Sequence, residues 1–204
     1  MSEIGLLTIF SDTNDFLGEK MDELSLYVLD ITMNSVRAGA TEIQITLREE
    51  GEWLYFSVSD NGCGMKKEQV EKLSNPFFTT RKTRKVGLGI PFLTMLAELT
   101  GGCVTITSVH ESESEDHGTT TTAKFGRHHV DFIPLGDMVE TVKTLIQGSP
   151  DVNFTYTHTT EKGEVTLSCG EIREVLGDEI SLSEPEILMW IDGTLREQYE
   201  ALEA

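Results

Sequence analysis

The chain has 204 residues, 38% of them hydrophobic and 25% charged, an ordinary globular composition with enough Val, Ile, Leu and Phe to bury a core. No apolar run approaches the roughly 18 residues of a membrane helix. A net charge of −19 repels phosphodiester backbones and anionic bilayers, which argues against nucleic acid and membrane as partners.

The start, Met1 to Phe10, carries Glu3 where a signal peptide carries lysines, and Gly5 and Thr8 break its apolar stretch, so a cytoplasmic protein is expected. From Asp22 to Ala38, Leu26, Leu29, Met33 and Val36 recur at helical spacing, with Asp22 placed to cap and Gly39 to stop a helix. The alternating runs Ile43-x-Ile45-x-Leu47 and Leu54-x-Phe56-x-Val58, separated by Glu49–Glu52, predict a β-hairpin with one buried face. Lys67–Leu73 reads as a short helix, Asn75–Val86 as an irregular basic stretch, and Gly89–Leu99 as a second long helix closed by Gly101-Gly102. Strands follow at Cys103–Val109 and Thr119–Phe125, joined by the acidic tip Glu111–Asp116.

The remainder reads as a helix (Leu135–Ile146), two strands (Val152–His158 and Glu164–Cys169) and helices near Glu171–Leu176 and Glu184–Leu202. It holds 16 acidic and 4 basic side chains, which suggests a boundary near residue 130: a domain over 1–129 and an acidic α+β domain or extension over 130–204. Its acid either meets a basic partner or keeps the chain soluble. Cys63, Cys103 and Cys169 form no C-x-x-C pair, so reduced thiols are expected; His128-His129 lacks a third metal ligand at a fitting spacing.

Four constellations carry chemistry. Asp30, Asn34 and Arg37, at i, i+4 and i+7, share one face of the first helix, where a carboxylate, a carboxamide oxygen and a guanidinium suit a water, Mg²⁺ and a phosphate; the same spacing also describes a plain solvent stripe. Asp60-Asn-Gly62-Cys-Gly64 follows a strand end, with an acceptor beside glycines that admit a ligand to the backbone, although Asp-Asn-Gly is also a common turn. Asn75–Ile90 runs a hydroxyl-rich basic loop, including Thr79, Thr80, Arg81, Lys82, Arg84 and Lys85, into Gly87-Leu88-Gly89 at a helix start, where backbone N–H groups favour anions. It lacks the Lys-Ser/Thr ending of a P-loop and the third glycine of a dinucleotide fingerprint. Gly118-Thr119 opens a strand whose hydroxyls could reach a ligand.

In this order the four resemble the ATP-binding domain of the GHKL superfamily, which groups gyrase B, heat-shock chaperone, histidine-kinase and mismatch-repair ATPases. Asp30-x-x-x-Asn34 resembles its N box, Asp60-x-Gly62-x-Gly64 its G1 box, Asn75-Pro-Phe-Phe-Thr79-Thr80 its phenylalanine box, Gly87-Leu88-Gly89 its G2 box and Gly118-Thr119 its final threonine motif, over about residues 20–127. The resemblance implies an α+β two-layer α/β sandwich of the histidine-kinase-like ATPase type, with the segment after 130 as a small α+β extension. It implies ATP and Mg²⁺ as cofactors, Asn34 ligating Mg²⁺ and Asp60 accepting the adenine amino group, with Thr119 supporting it through water. Gly62 and Gly64 would make room for the base, and Arg37 would contact phosphate. Thr79, Thr80, Arg81 and Lys82 would belong to a lid over the triphosphate, with amides from Gly87, Leu88 and Gly89.

Three departures stand out. Asp30 replaces the Glu of hydrolytic members and the Asn of many sensor kinases; a carboxylate with the ordinary pKa of about 4 is ionised at neutral pH and polarises water, though Asp is one methylene shorter. Lys85 replaces the first glycine of the G2 pattern. Fewer than 25 residues precede the first long helix, and all five histidines fall at or after the late strands, so the helical hairpin of a sensor kinase is not expected. Two functions follow: a slow ATPase or phosphotransfer enzyme acting on a protein partner, similar to anti-sigma-type Ser/Thr kinases, with Asp30 as catalytic base; or a non-catalytic ATP sensor whose lid governs partner docking.

Overall fold

The computed structural model describes residues 22–73, 89–177 and 180–203. The first helix, α1 (Leu24–Arg37), leads into a hairpin of β1 (Glu42–Glu50) and β2 (Trp53–Asp60), turned at Gly51 with φ +54°, a left-handed value that glycine tolerates. Helices α2 (Lys67–Leu73) and α3 (Gly89–Leu99) follow, then β3 (Cys103–Val109), β4 (Gly118–Gly126), α4 (Met138–Gly148), β5 (Asn153–Thr160), β6 (Gly163–Ser168), α5 (Cys169–Leu176) and α6 (Pro185–Glu203).

The strands form one six-stranded mixed sheet in the order β3-β4-β2-β1-β5-β6, with β1 and β5 parallel and every other neighbour antiparallel. Strand alternation decides which face is covered. Ile43, Ile45 and Leu47 of β1, Leu54, Phe56 and Val58 of β2, Ala123 and Phe125 of β4, and Phe154 and Tyr156 of β5 lie on one face and are buried. Each such fully buried large side chain contributes about 1.5–3 kcal/mol. The opposite face is polar: the rows Thr107–Thr120–Ser59–Gln44–Thr155–Ser168 and Thr105–Thr122–Ser57–Thr46–Thr157–Thr166 cross all six strands. Helices on one face of a sheet make the two-layer α+β architecture.

The segment after residue 130 joins this sheet through β5 and β6, and its Met138, Val142, Leu145, Ile191 and Leu195 enter the same hydrophobic cluster as the β1 and β2 side chains. In α1 Leu24, Ser25, Val28, Ile31 and Thr32 are buried, while Leu26 of the predicted stripe is exposed. The rotation follows from packing, because α1 touches α3 and α4 as well as β1 and β2. The α1 cap also differs from the sequence reading: Glu23 occupies the N-cap, with no side-chain cap bond, and the N–H groups of Leu24 and Ser25 donate instead to Pro134 O and Leu135 O at 2.9 and 2.8 Å.

Candidate functional site

Asp60 occupies the place in β2 where the inward row Leu54, Phe56, Val58 would put its next core residue. A carboxylate there is costly unless it is hydrogen-bonded. Ser35 Oγ donates to Asp60 Oδ2 at 2.5 Å, while the backbone N–H groups of Gly62 and Thr119 donate to Oδ1 at 2.9 and 3.3 Å. An ionised carboxylate has about four acceptor positions, so one on Oδ2 remains available.

The surrounding backbone is too tight for side chains. At Gly64, with φ +65°, a Cβ would lie 1.9 Å from Val109 O, and at Gly118 it would lie 1.9 Å from Asp60 O. Gly62 is buried, and a Cβ there would press Ala38 Cβ and O at 3.0 Å. Glycine at 118 lets β4 close against the end of β2 and brings the Thr119 N–H to Asp60. The Thr119 hydroxyl pairs with Ser108 Oγ at 2.8 Å, and Ser108 Oγ donates to Gly118 O and accepts from Met65 N–H. In this structure Thr119 therefore supports Asp60 through its main chain. The next residue, Asn61, ties the loop to β1: its Oδ1 accepts from the N–H groups of Thr41 and Glu42 at 2.9 and 3.0 Å.

Consecutive residues of α1 serve the two halves of the site. Ser35 turns inward to Asp60, whereas Asn34 is half-buried and accepts from Arg37 Nη1 at 2.9 Å. One turn earlier Asp30 is also half-buried, and its Oδ2 lies only 1.9 Å from where a Cβ on Gly89 would stand. Gly89 is the first residue of α3, so the carboxylate rests against that helix start. The structure thus sets Asp30 against Gly89, pairs Asn34 with Arg37 on the same helix, and gathers Gly62, Gly64 and Thr119 around Asp60. Thr79, Thr80, Arg81, Lys82, Gly87 and Leu88 lie outside the described residues.

Sequence reasoning missed Ser35 and Ser108. The signal for Ser35 was its position four residues after Ile31, a hydroxyl on an apolar helix face. Ser108 gave none, because its partners come from the strand register. Among the described residues no cluster of three His, Cys, Asp or Glu side chains is placed to hold a metal; the Asp30 carboxylate and the Asn34 amide oxygen are hard oxygen donors on α1.

Comparison with known proteins gives the family of residues 19–129. The family described as "Histidine kinase-, DNA gyrase B-, and HSP90-like ATPase" matches residues 19–129. Sensor histidine kinase ZraS of Escherichia coli O157:H7 is 30% identical over 109 residues, covering 52% of this chain and 24% of the kinase. Sporulation kinase B of Bacillus subtilis is 30% identical over 105 residues, covering 50% and 23%. This chain therefore spans about a quarter of the length of these kinases. The DNA mismatch repair protein PMS1 of Arabidopsis thaliana is 41% identical over 64 residues, which is 31% of this chain and 7% of PMS1. Among solved structures, the Aquifex aeolicus MutL ATPase domain complexed with ADP superposes with a TM-score of 0.51 at 18% identity, covering 77% of this chain and 70% of that one, a likeness of fold. Residues 19–129 make this chain a member of the histidine kinase-, gyrase B- and HSP90-like ATPase family.

Proposed function

We propose that the chain binds Mg-ATP between α1 and the end of β2 and turns it over slowly, by hydrolysis or by phosphotransfer to a protein partner. The observation that carries the reading is Asp60, a carboxylate anchored by three donors among close-packed glycines with one acceptor position left over. That arrangement suits the exocyclic amine of adenine, and an acceptor held this rigidly discriminates against bases that lack the amine.

The donor set on α1 fits the rest of the nucleotide. Asn34 would hold Mg²⁺ through Oδ1, and repulsion between the two cations would turn the Arg37 guanidinium from that oxygen towards phosphate. When bound, the nucleotide supplies an activated phosphoryl group. Asp30 is the candidate general base, positioned to orient and deprotonate a water or an acceptor hydroxyl, and Gly89 leaves it the room to do so. Thr79, Thr80, Arg81, Lys82, Gly87 and Leu88 complete the proposed phosphate contacts.

The test is Asp30→Asn. Retained ATP affinity with phosphate release reduced about a hundredfold supports a catalytic role, within the usual range for a general base. Unchanged release removes Asp30 as the base, whereas ATP binding with no release in either protein points instead to an ATP-sensing module.

A further inference from the structure

The segment after residue 130 ends in α6, whose inward side is fixed by Leu188, Ile191 and Leu195 in the core and by Gln198 bonded to Thr166, while the half-exposed Arg196 at its flank is paired with Asp192 and Asp137. Its outward side carries Met189 and Trp190, 67% and 54% exposed. Three residues beyond Trp190, and so beside it on the helix surface, stands Gly193, where an added Cβ would meet nothing within 4 Å. A glycine inside a helix weakens it relative to alanine, and this one has no close backbone approach within the molecule to account for it. An exposed aromatic knob beside a notch of this kind is the composition of an interface centre, where Trp and Met are enriched.

Charge selects the occupant. The patch is flanked by Glu186 at one end and by Glu197 and Glu200 at the other, all exposed. A second copy of the chain would set these acids against one another, since an antiparallel pair centred between Trp190 and Gly193 brings Glu186 opposite Glu197. The chain's own first 21 residues carry four acids and one lysine and are equally mismatched. We infer that the outward face of α6 docks a basic amphipathic helix of another protein, an apolar stripe packing on Met189, Trp190 and the Gly193 notch between lysines or arginines that meet Glu186, Glu197 and Glu200. This surface stands apart from the nucleotide site and does not rest on it.

The test uses the full chain with Trp53→Phe, which leaves Trp190 as the sole tryptophan reporter. The probe is a helical peptide with a leucine stripe flanked by lysines, and the control is the same peptide with glutamates in place of the lysines. The expected result is a blue shift of Trp190 emission with the lysine peptide alone, weakened by salt, and an affinity lowered about tenfold by Trp190→Ala and by Gly193→Gln. Neither variant touches the core, so Trp190→Ala keeps its melting temperature and Gly193→Gln keeps or raises it. No shift with the lysine peptide, equal binding of the glutamate peptide, or full affinity in both variants overturns the inference. A Trp190-dependent dimer of the chain alone, or a Trp190 emission change on deleting residues 1–21, overturns it in favour of a second copy or of the chain's own segment.

Discussion

The carboxylate of Asp30 fills the space that a side chain on Gly89 would need, with Oδ2 1.9 Å from the position of the missing Cβ. The candidate base and the start of α3 are therefore set by one steric fit, and a single methyl at residue 89 tests it without altering any titratable group. Gly89→Ala should cost about 1–3 kcal/mol of stability by overpacking. In an Asp30→Ala background the same methyl meets no carboxylate, and the cost should vanish or reverse by up to about 1 kcal/mol, because Ala favours helix. Urea denaturation of the four proteins measures the difference, and additive costs would break the relationship.

Ser35 should matter to Asp60 as a donor. Ser35→Ala removes the 2.5 Å bond to Oδ2 and leaves Asp60 held by the Gly62 and Thr119 N–H groups alone. A lost hydrogen bond to a charged group costs about 1.5–3 kcal/mol, which chemical denaturation will show, and ATP affinity should fall in parallel. Ser35→Thr, which keeps the hydroxyl, should recover most of the affinity if the donor rather than the volume is what counts.

Much of this was legible in the sequence. The bounds of α2 and α3 follow from their flanking signals, and the alternation of β1 and β2 reveals their buried face because strand period leaves little choice. The partner of β5 was not legible: its parallel pairing with β1 joins residues over a hundred positions apart, and periodicity carries no information about pairing. In α1 the stripe holds for Leu29, Met33 and Val36, which pack partly buried on the core, and fails at Leu26, because a helix enclosed on several sides is rotated by its neighbours. Within the site, glycines and acids announce themselves by type, whereas Ser35 and Ser108 acquire meaning only once α1 and β3 are set beside Asp60.

A buried polar chain predicts a pH dependence. Tyr156 Oη lies 2.5 Å from Tyr199 Oη, which lies 2.9 Å from His158 Nδ1; His158 Nε2 faces Glu49 at 3.5 Å, and Glu49 pairs with Arg127 at 2.7 Å. Burial, aided by Arg127 and opposed by Glu49, holds the His158 imidazole below its ordinary value of 6.5, and burial pushes the Tyr199 hydroxyl up to about 12. The unfolded chain therefore binds the His158 proton more readily than the folded one. Stability should be full above pH 6.5 and decline as pH falls from 6.5 towards the lower folded value. His158→Asn, which keeps an acceptor for Tyr199, should flatten this part of the profile in thermal melts at a series of pH values.

Tyr199→Phe should be more damaging than its single missing oxygen suggests. It leaves both the Tyr156 hydroxyl and His158 Nδ1 without their partner, next to a His158 Nε2 that already makes no hydrogen bond. Orphaning buried polar groups costs about 1–3 kcal/mol each. Because Tyr199 belongs to α6 and His158 to β5, the loss should also raise amide hydrogen exchange in α6 while leaving β1 and β2 protected.

Whether Asp60 anchors an adenine nucleotide in the presence of Mg²⁺ is decided by calorimetric titration of ATP into the wild-type chain and Asp60→Asn, with and without Mg²⁺. The expected result is Mg-dependent binding to the wild type and a loss of about a hundredfold or more in Asp60→Asn, whose amide cannot accept from all three donors and the base as the carboxylate does. Equal affinity in the two proteins, or no binding to a folded wild type, would contradict it.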